Sequence, residues 1–269
     1  MQTERQALPC DPRNLLRIMP AKGKSRLREP PLLPREAVFR YMQQTETKVK
    51  RRAVIVANGE MSADTDLKSL LREDDLLVAA DGGGRYCLQA GCTPRFVIGD
   101  FDSLSAAELD ELAAHGAEVL HHPVHKDKTD LELAVDLAIR KEIREILVLA
   151  ALGRRWDHTL ANLLLLGLPR FATAHILLLD GNQEITLLRP GTENLIRGHR
   201  GDTVSLMAVN GDARGVTTAG LEYQLQAGRL PFGATLGVSN KLTAAEATVS
   251  LESGWLICIV IHNPKWREK

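Results

Sequence analysis

Asp100 and Asp102 flank a single phenylalanine in "VIGDFDSL", residues 97–104, directly after an apolar run. In extended backbone, residues i and i+2 project to the same face, which would put two carboxylates in one small volume. Like charges that close are costly unless one takes up a proton or a cation bridges them, and a hard divalent ion such as Mg2+ accepts carboxylate oxygens readily. The same stretch also reads as a turn in which one aspartate bonds its own backbone and Ser103 leads into the next helix. A second acidic group is "KDKTDLELA", residues 126–134. Asp130 falls in the first turn of a candidate helix, where a carboxylate suits the helix dipole with or without a ligand. Asp127 reads equally as a loop acid. If the strands are ordered as usual, both groups meet at one sheet edge; such convergence needs a cation, and Lys126 and Lys128 are placed to face phosphates.

Two more motifs sit where a strand gives way to a helix. In "DGGGRY" (81–86) the glycines let backbone donors approach an anion, and Asp81 can accept from a sugar hydroxyl or a base. The alternative is a glycine turn requiring positive φ. The stretch is not the G-x-G-x-x-G fingerprint, and no G-x-x-x-x-G-K-[ST] loop occurs in the chain. "LGRRWDHTLAN" (152–162) supplies Arg154, Arg155, Asp157 and His158 at a helix start. Arginine suits phosphate oxygens, while Asp157 reads also as a simple N-cap.

The elements that must position these residues show in the apolar pattern from residue 53 onward. Runs at 53–57, 76–80, 96–98, 118–120, 146–152 and 175–180 are continuous rather than alternating, as suits strands covered on both faces. Helical spacing appears near 62–72, 84–90, 105–115, 129–142 and 157–167. Ser105 with Glu108, and Thr129 with Glu132, each fit a capping box at a helix start. The alternation predicts an α/β domain with an open, mostly parallel sheet over residues 53–180, whose ligands sit beyond the carboxyl ends of the strands. After about residue 181 glycines and β-branched residues dominate, as in "DTVSLMAV" and "WLICIVIH". Residues 181–269 are therefore expected to form a second, all-β domain, a small sandwich or barrel, with a helical period surviving only near 241–247.

Lys+Arg and Asp+Glu balance at 34 each over 269 residues, which gives no sign of a nucleic-acid or membrane partner. Residues 1–52 depart from that balance, with 13 basic residues against 5 acidic and six of the twelve prolines. They read as a disordered or loosely docked basic extension, with a transit peptide the weaker reading because Glu4, Asp11, Glu29 and Glu36 are out of place in one. No run approaches the ~18 apolar residues of a membrane span and no signal peptide is visible. Cys10, Cys87, Cys92 and Cys258 lie at no metal or redox spacing. Free thiols and a cytoplasmic location are the expectation.

The order and spacing of "NG" (58–59), "DGG" (81–83), "GDFDS" (99–103), "KDKTDLELA" and "LGRRWDHTLAN", followed by "GLEYQL" (220–225) and "GVSN" (237–240), resemble the thiamine pyrophosphokinase family. The similarity spans about residues 53–262. It implies transfer of a pyrophosphoryl group from ATP to the hydroxyl of thiamine, giving thiamine diphosphate and AMP, with Mg2+. It also implies a homodimer whose active sites lie between the α/β domain of one subunit and the β-domain of the other. By motif, Asp100, Asp102 and Asp130 hold Mg2+ and the phosphates, with Asp127 close by, and one aspartate takes the hydroxyl proton. Asp81, Gly82, Lys126, Thr129, Arg155, Asp157 and His158 line the nucleotide path. Tyr223 stacks on the thiamine rings, and Ser239 and Asn240 contact its aminopyrimidine.

The chemistry of the residues agrees, since phosphoryl-type transfer rests on positioning and charge neutralisation, and a cationic thiazolium suits an aromatic face. Two features depart from the family pattern: Gly153-Arg154 stands where a glycine pair is usual, and the extension matches nothing in it. A metal-dependent phosphohydrolase, or a non-catalytic thiamine- or nucleotide-binding sensor, would use the same residues.

Overall fold

A computed structural model describes residues 51–123, 127–191 and 193–263. Residues 1–50 of the extension and Lys126 lie outside the described residues. Six strands, β1 (Arg52–Val56), β2 (Leu76–Ala80), β3 (Phe96–Gly99), β4 (Glu118–His121), β5 (Glu145–Leu149) and β6 (His175–Asp180), run parallel in the order β4-β3-β2-β1-β5-β6. Their helices are α1 (Leu67–Leu70), α2 (Gly83–Gln89), α3 (Ala106–Ala114), α4 (Asp130–Arg140) and α5 (Trp156–Leu165).

Successive residues of a strand face opposite layers, and both layers here are apolar. Ala53 and Ile55 of β1 join the core under α4, whereas Val54 and Val56 join the core with Leu67 of α1, Cys87 of α2 and Leu112 of α3. That two-sided burial is why the runs are continuous rather than alternating. β4 is the exception: it is the edge strand and is largely exposed.

The helices differ in how firmly they are held. α4 buries Leu131, Leu133, Ala134, Val135, Leu137 and Ala138, and each fully buried leucine contributes about 1.5–3 kcal/mol. Its first residue, Asp130, is therefore carried by a well-anchored element. The 62–72 expectation shrinks to the four residues of α1, capped by Asp66 and burying Leu67 alone, so the chain from Asn58 to Asp66 is loop. The capping box at Ser105 is complete. At Thr129 the hydroxyl accepts from the Glu132 amide, but the Glu132 carboxylate is drawn away to Arg170.

After β6 the chain turns through Gly181–Asn182 into β7 (Gln183–Leu188), which pairs antiparallel with β6. The sheet then extends through β14 (Leu256–Ile261), β9 (Thr203–Ala208) and β12 (Asn240–Lys241) to ten strands. A second sheet, β11 (Gly228–Leu230), β10 (Ala213–Ala219), β13 (Glu246–Ser250) and β8 (Asn194–Arg197), packs on this antiparallel part. Between the two sheets lies a separate core including Val204, Leu206, Val216, Leu221, Leu242, Val249, Leu256 and Cys258. The architecture is an open, mostly parallel α/β sheet followed by a β-sandwich. The helical period near 241–247 does not form; β12 and β13 take up its two ends, paired to β9 and β8. Leu242 and Ala247 each serve the sandwich core, so the spacing reflects burial in strands.

Candidate active site

Beyond the carboxyl ends of β1, β2, β3 and β5 opens a cleft of about 510 Å³. Its lining draws on every motif of the α/β half: Asn58 and Gly59; Asp81; Asp100, Asp102 and Ser103; Lys128, Thr129 and Asp130; and Gly153, Arg154, Arg155 and His158. The topology causes the convergence, because each motif lies beyond the carboxyl end of a strand and the strands are parallel neighbours.

Three of the strand exits carry non-glycine residues in the left-handed region: Asp81 (φ 46°) after β2, Phe101 (φ 63°) after β3 and Ala150 (φ 52°) after β5. Such backbone costs about 1–2 kcal/mol per residue, and its clustering along one sheet edge marks a site where conformation is imposed. Phe101 corrects one expectation. Asp100 and Asp102 do not share a face through extended i, i+2 geometry, because β3 ends at Gly99 and the chain reverses at Phe101. Phe101 is buried and meets the His121 ring edge-on at 5.4 Å, so its packing holds the turn and the two aspartates still converge. The "DGG" glycines are also explained differently. None of Gly82, Gly83 and Gly84 has positive φ; a Cβ on Gly82 would lie 2.0 Å from Asn58 Oδ1, and one on Gly83 2.0 Å from the Val56 carbonyl. They let α2 pack against β1, and the left-handed residue is Asp81.

Asp81, Asp100 and Asp102 form one cluster whose nearest carboxylate oxygens all lie within 4.8 Å of one another. Asp81 is 4% exposed, and its Oδ1 has no hydrogen-bond partner among the described residues. Its Oδ2 accepts from Asn58 Nδ2 at 2.8 Å, and the same nitrogen donates to Ser103 Oγ at 2.8 Å. Ser103 in turn donates to Asp102 Oδ1 at 2.9 Å. One asparagine thus ties two of the three carboxylates together. Asp130 borders the group: its carboxyl carbon would stand 3.3 Å from a Cβ on Gly99.

The basic residues near the cleft have carboxylate partners. Lys128 lines the cleft but is already paired: its ammonium bonds Asp136 at 2.7 Å, and Arg170 bonds the same carboxylate at 2.9 Å. Burial pushes the Asp136 carboxyl up, yet these two cations outweigh it and hold it below the usual range. Arg154 reaches Glu60 at 2.9 Å across the rim. Arg155 is the N-cap residue of α5, a position expected of Asp157. Asp157 is the second residue of the helix and pairs with Arg155 at 2.6 Å, whose hydrogen bond lowers its carboxyl to about 2. Asp127 and Asp157 are exposed outside the cleft lining, whereas Arg155, His158 and Thr129 lie on it.

Tyr223, Ser239 and Asn240 are elsewhere. Asn240 opens β12, the edge strand at the far end of the ten-stranded sheet from β4. Its side chain accepts from the Tyr223 amide at 3.0 Å and donates to the Tyr223 carbonyl at 2.6 Å, leaving the ring 70% exposed. Ser239 has φ 64° and its amide donates to Ser205 Oγ. Five to eight strand spacings separate β12 from β5 through β3, roughly 25–40 Å at about 4.8 Å per strand. Within one chain the structure does not bring these three residues to the cleft. Sequence reasoning passed over Asn58 and Ser103 as site residues; the available signal was an asparagine at a strand exit, the position that carries the aspartates in the neighbouring strands.

Comparison with known proteins agrees with this division. Residues 67–178 match the family described as "Thiamin pyrophosphokinase, catalytic domain", and residues 193–256 match "Thiamin pyrophosphokinase, vitamin B1 binding domain". The chain is 32% identical over 206 residues to the thiamine pyrophosphokinase of Bacillus subtilis, an alignment covering 76% of this chain and 96% of the relative. The crystal structure of thiamine pyrophosphokinase from Bacillus subtilis superposes with a TM-score of 0.71 at 31% identity, covering 79% of this chain and 100% of that one. The enzyme from Geobacillus thermodenitrificans gives 0.70 at 30% identity, over 79% and 98%. With both domains matched and the relative aligned over nearly its full length, the chain belongs to the thiamine pyrophosphokinase family.

Proposed function

We propose that the cleft transfers a pyrophosphoryl group from ATP to thiamine, with Asp81, Asp100 and Asp102 as the Mg2+ ligands and Asp130 beside them. The observation that carries this is the carboxylate cluster, with the buried Asp81 Oδ1 lacking a hydrogen-bond partner among the described residues. Three carboxylates this close repel unless a cation joins them, and oxygen-only donors suit Mg2+. Bound Mg2+ supplies neutralisation of the charge spread over the phosphate oxygens. The hydroxyl oxygen of thiamine attacks the β-phosphorus, the bond from that phosphorus to the α,β-bridging oxygen breaks, and AMP leaves. One of Asp100, Asp102 and Asp130 accepts the hydroxyl proton, with Asp127 nearby outside the lining. Arg155 and His158, on the α5 side, face the nucleotide phosphates together with the Thr129 hydroxyl and Lys126; Asp157 orients Arg155 from outside the lining, and Gly82 backs the path behind Asn58.

Thiamine is held by Tyr223, Ser239 and Asn240 from a second copy of the chain. The separation between β12 and the cleft supports this sharing, as do exposed apolar side chains in both halves: Trp156, Leu160 and Leu164, spaced four residues apart along α5, and Tyr223, Phe232 and Leu236 in the β-domain. The working form is a homodimer with two shared sites. A cytoplasmic location fits the free thiols of Cys87, Cys92 and Cys258; no described helix is long and apolar enough to cross a membrane.

The test is incubation of the purified chain with ATP, thiamine and Mg2+, reading AMP and thiamine diphosphate by chromatography. Both products should appear in equal amounts and fall by about 10²–10³-fold in Asp100→Asn, the scale of losing a charge-stabilising group. Phosphate release without thiamine would replace the proposal with hydrolysis, and no turnover in the wild type would replace it with a sensor.

A further inference from the structure

A second convergence of metal-ligating side chains lies outside the cleft. Asp202, just before β9, and His262, just after β14, are 60 residues apart in sequence, and the β14–β9 pairing of Ile261 with Thr203 makes them neighbours. Asp202 is fully buried, and its Oδ2 lies 2.8 Å from His262 Nδ1 and 3.8 Å from His199 Nδ1. Each of the three residues offers a ligand atom within 4.8 Å of the others. On the opposite side of the His262 ring, Glu184 Oε1 stands 3.2 Å from Nε2, a buried nitrogen that makes no hydrogen bond among the described residues.

This arrangement leaves the ring one positive partner short. A neutral imidazole has a single N–H, and here each ring nitrogen faces a carboxylate oxygen. With the proton on Nδ1 the ring donates to Asp202 Oδ2 at 2.8 Å and the Nε2 lone pair faces Glu184; with the proton on Nε2 the Nδ1 lone pair faces Asp202 Oδ2, acceptor against acceptor, unless a cation joins them. Ligand atoms around a tetrahedral zinc ion stand roughly 3.4 Å apart, and the 2.8 and 3.8 Å separations at Asp202 Oδ2 bracket that value. Gly198 keeps the outer side of the oxygen clear of carbon, since a Cβ there would come within 2.8 Å of Oδ2. A carboxylate behind the second ring nitrogen is the usual outer partner of a metal-bound histidine, fixing which nitrogen is left to bind.

We propose that His199, Asp202 and His262 form a site for a divalent transition ion of the zinc class, with Glu184 orienting the His262 ring. Two imidazoles and one carboxylate select such an ion over Mg2+, which prefers all-oxygen sets. The ion ties the end of β14 to the start of β9 and to the loop carrying His199. The site faces the same sheet edge as the cleft but stands about three strand spacings from β5, on the order of 14 Å. Its function is thus to brace the antiparallel end of the sheet.

The experiment uses full-length protein stripped with a chelator and held in about 10 mM Mg2+, so that the cleft carboxylates are occupied by a hard ion. Zn2+ is titrated in competition with a chromophoric chelator, and Co2+ is added separately for its visible absorption. One equivalent per chain should bind, with d–d bands of a low-coordinate nitrogen–oxygen site, and the melting temperature should rise by roughly 5 °C at a hundredfold excess over the dissociation constant. His199→Ala, an exposed position, should retain the fold and weaken Zn2+ binding at least tenfold. Asp100→Asn should bind Zn2+ as the wild type does. Absence of Zn2+ binding, or unchanged binding in His199→Ala, would overturn the site.

Discussion

Replacing Asn58 by alanine removes the one nitrogen that donates to both Asp81 Oδ2 and Ser103 Oγ, each at 2.8 Å. Asp81 Oδ1 already lacks a hydrogen bond, so the variant strips Oδ2 as well and leaves neither oxygen of a 4% exposed carboxylate with a donor among the described residues. A hydrogen bond to a charged group contributes about 1.5–3 kcal/mol and a neutral one about 1 kcal/mol. Without Mg2+, Asn58→Ala is expected to unfold about 2–4 kcal/mol more easily in urea. Saturating Mg2+ should return part of that loss by neutralising Asp81. The catalytic effect runs through orientation, because the asparagine touches the ligands rather than the reacting atoms. Removing such an outer partner changes metal affinity or activity by about 10–100-fold. The apparent constant for Mg2+ in AMP formation should rise by that factor, with the Michaelis constant for thiamine changed less than about twofold. Asn58→Asp keeps the size but sets a fourth carboxylate against the cluster, and should be worse at low Mg2+ and recover at high Mg2+. A Mg2+ dependence identical to wild type in Asn58→Ala would refute the positioning argument, whatever happens to stability.

Two further outcomes follow from geometry. Mixing Asp100→Asn with Tyr223→Ala chains, each nearly inactive alone, should restore about a quarter of wild-type activity: half of the dimers are mixed, and one of their two sites is intact. No recovery after subunit exchange would place both residues in a site within one chain. The Arg85 hydrogen bond holds the Glu108 carboxyl down at about 2, against an ordinary value of 4.5. Since the folded value is the lower one, the pair stabilises fully above about pH 4.5 and is lost as pH falls toward 2. The melting-temperature gap between wild type and Glu108→Gln should be present at pH 6 and close across that window; a gap independent of pH would contradict it.

Much of the α/β half was legible because its signals are local. Two-sided burial writes itself as continuous apolar runs, and the complete capping box at Ser105 needs only residues three apart. Even the site was legible as motifs, because in a parallel sheet whatever follows a strand arrives at the same edge. The 62–72 and 241–247 readings misjudged helix content for a related reason: apolar spacing records burial, and a four-residue helix or a pair of short strands can bury the same side chains.

By itself the sequence determined the order of strands and helices, the β-rich second half, and which residue types stand at each strand exit. Only the tertiary structure decided how those residues combine. Asp81 joins Asp100 and Asp102 because β2 and β3 pair in register, and Asn58 reaches both groups across sequence separations of 23 and 45 residues. The left-handed turn at Phe101, set by burying that ring beside His121, is a packing outcome that spacing does not encode. The same holds for the partners of Lys128 and Arg154, and for the several strands that separate Tyr223 from the cleft. Local pattern fixes periodicity and caps through neighbours in the chain, whereas charge pairing and convergence depend on strand order and register, which are settled when distant segments compete to bury the same core.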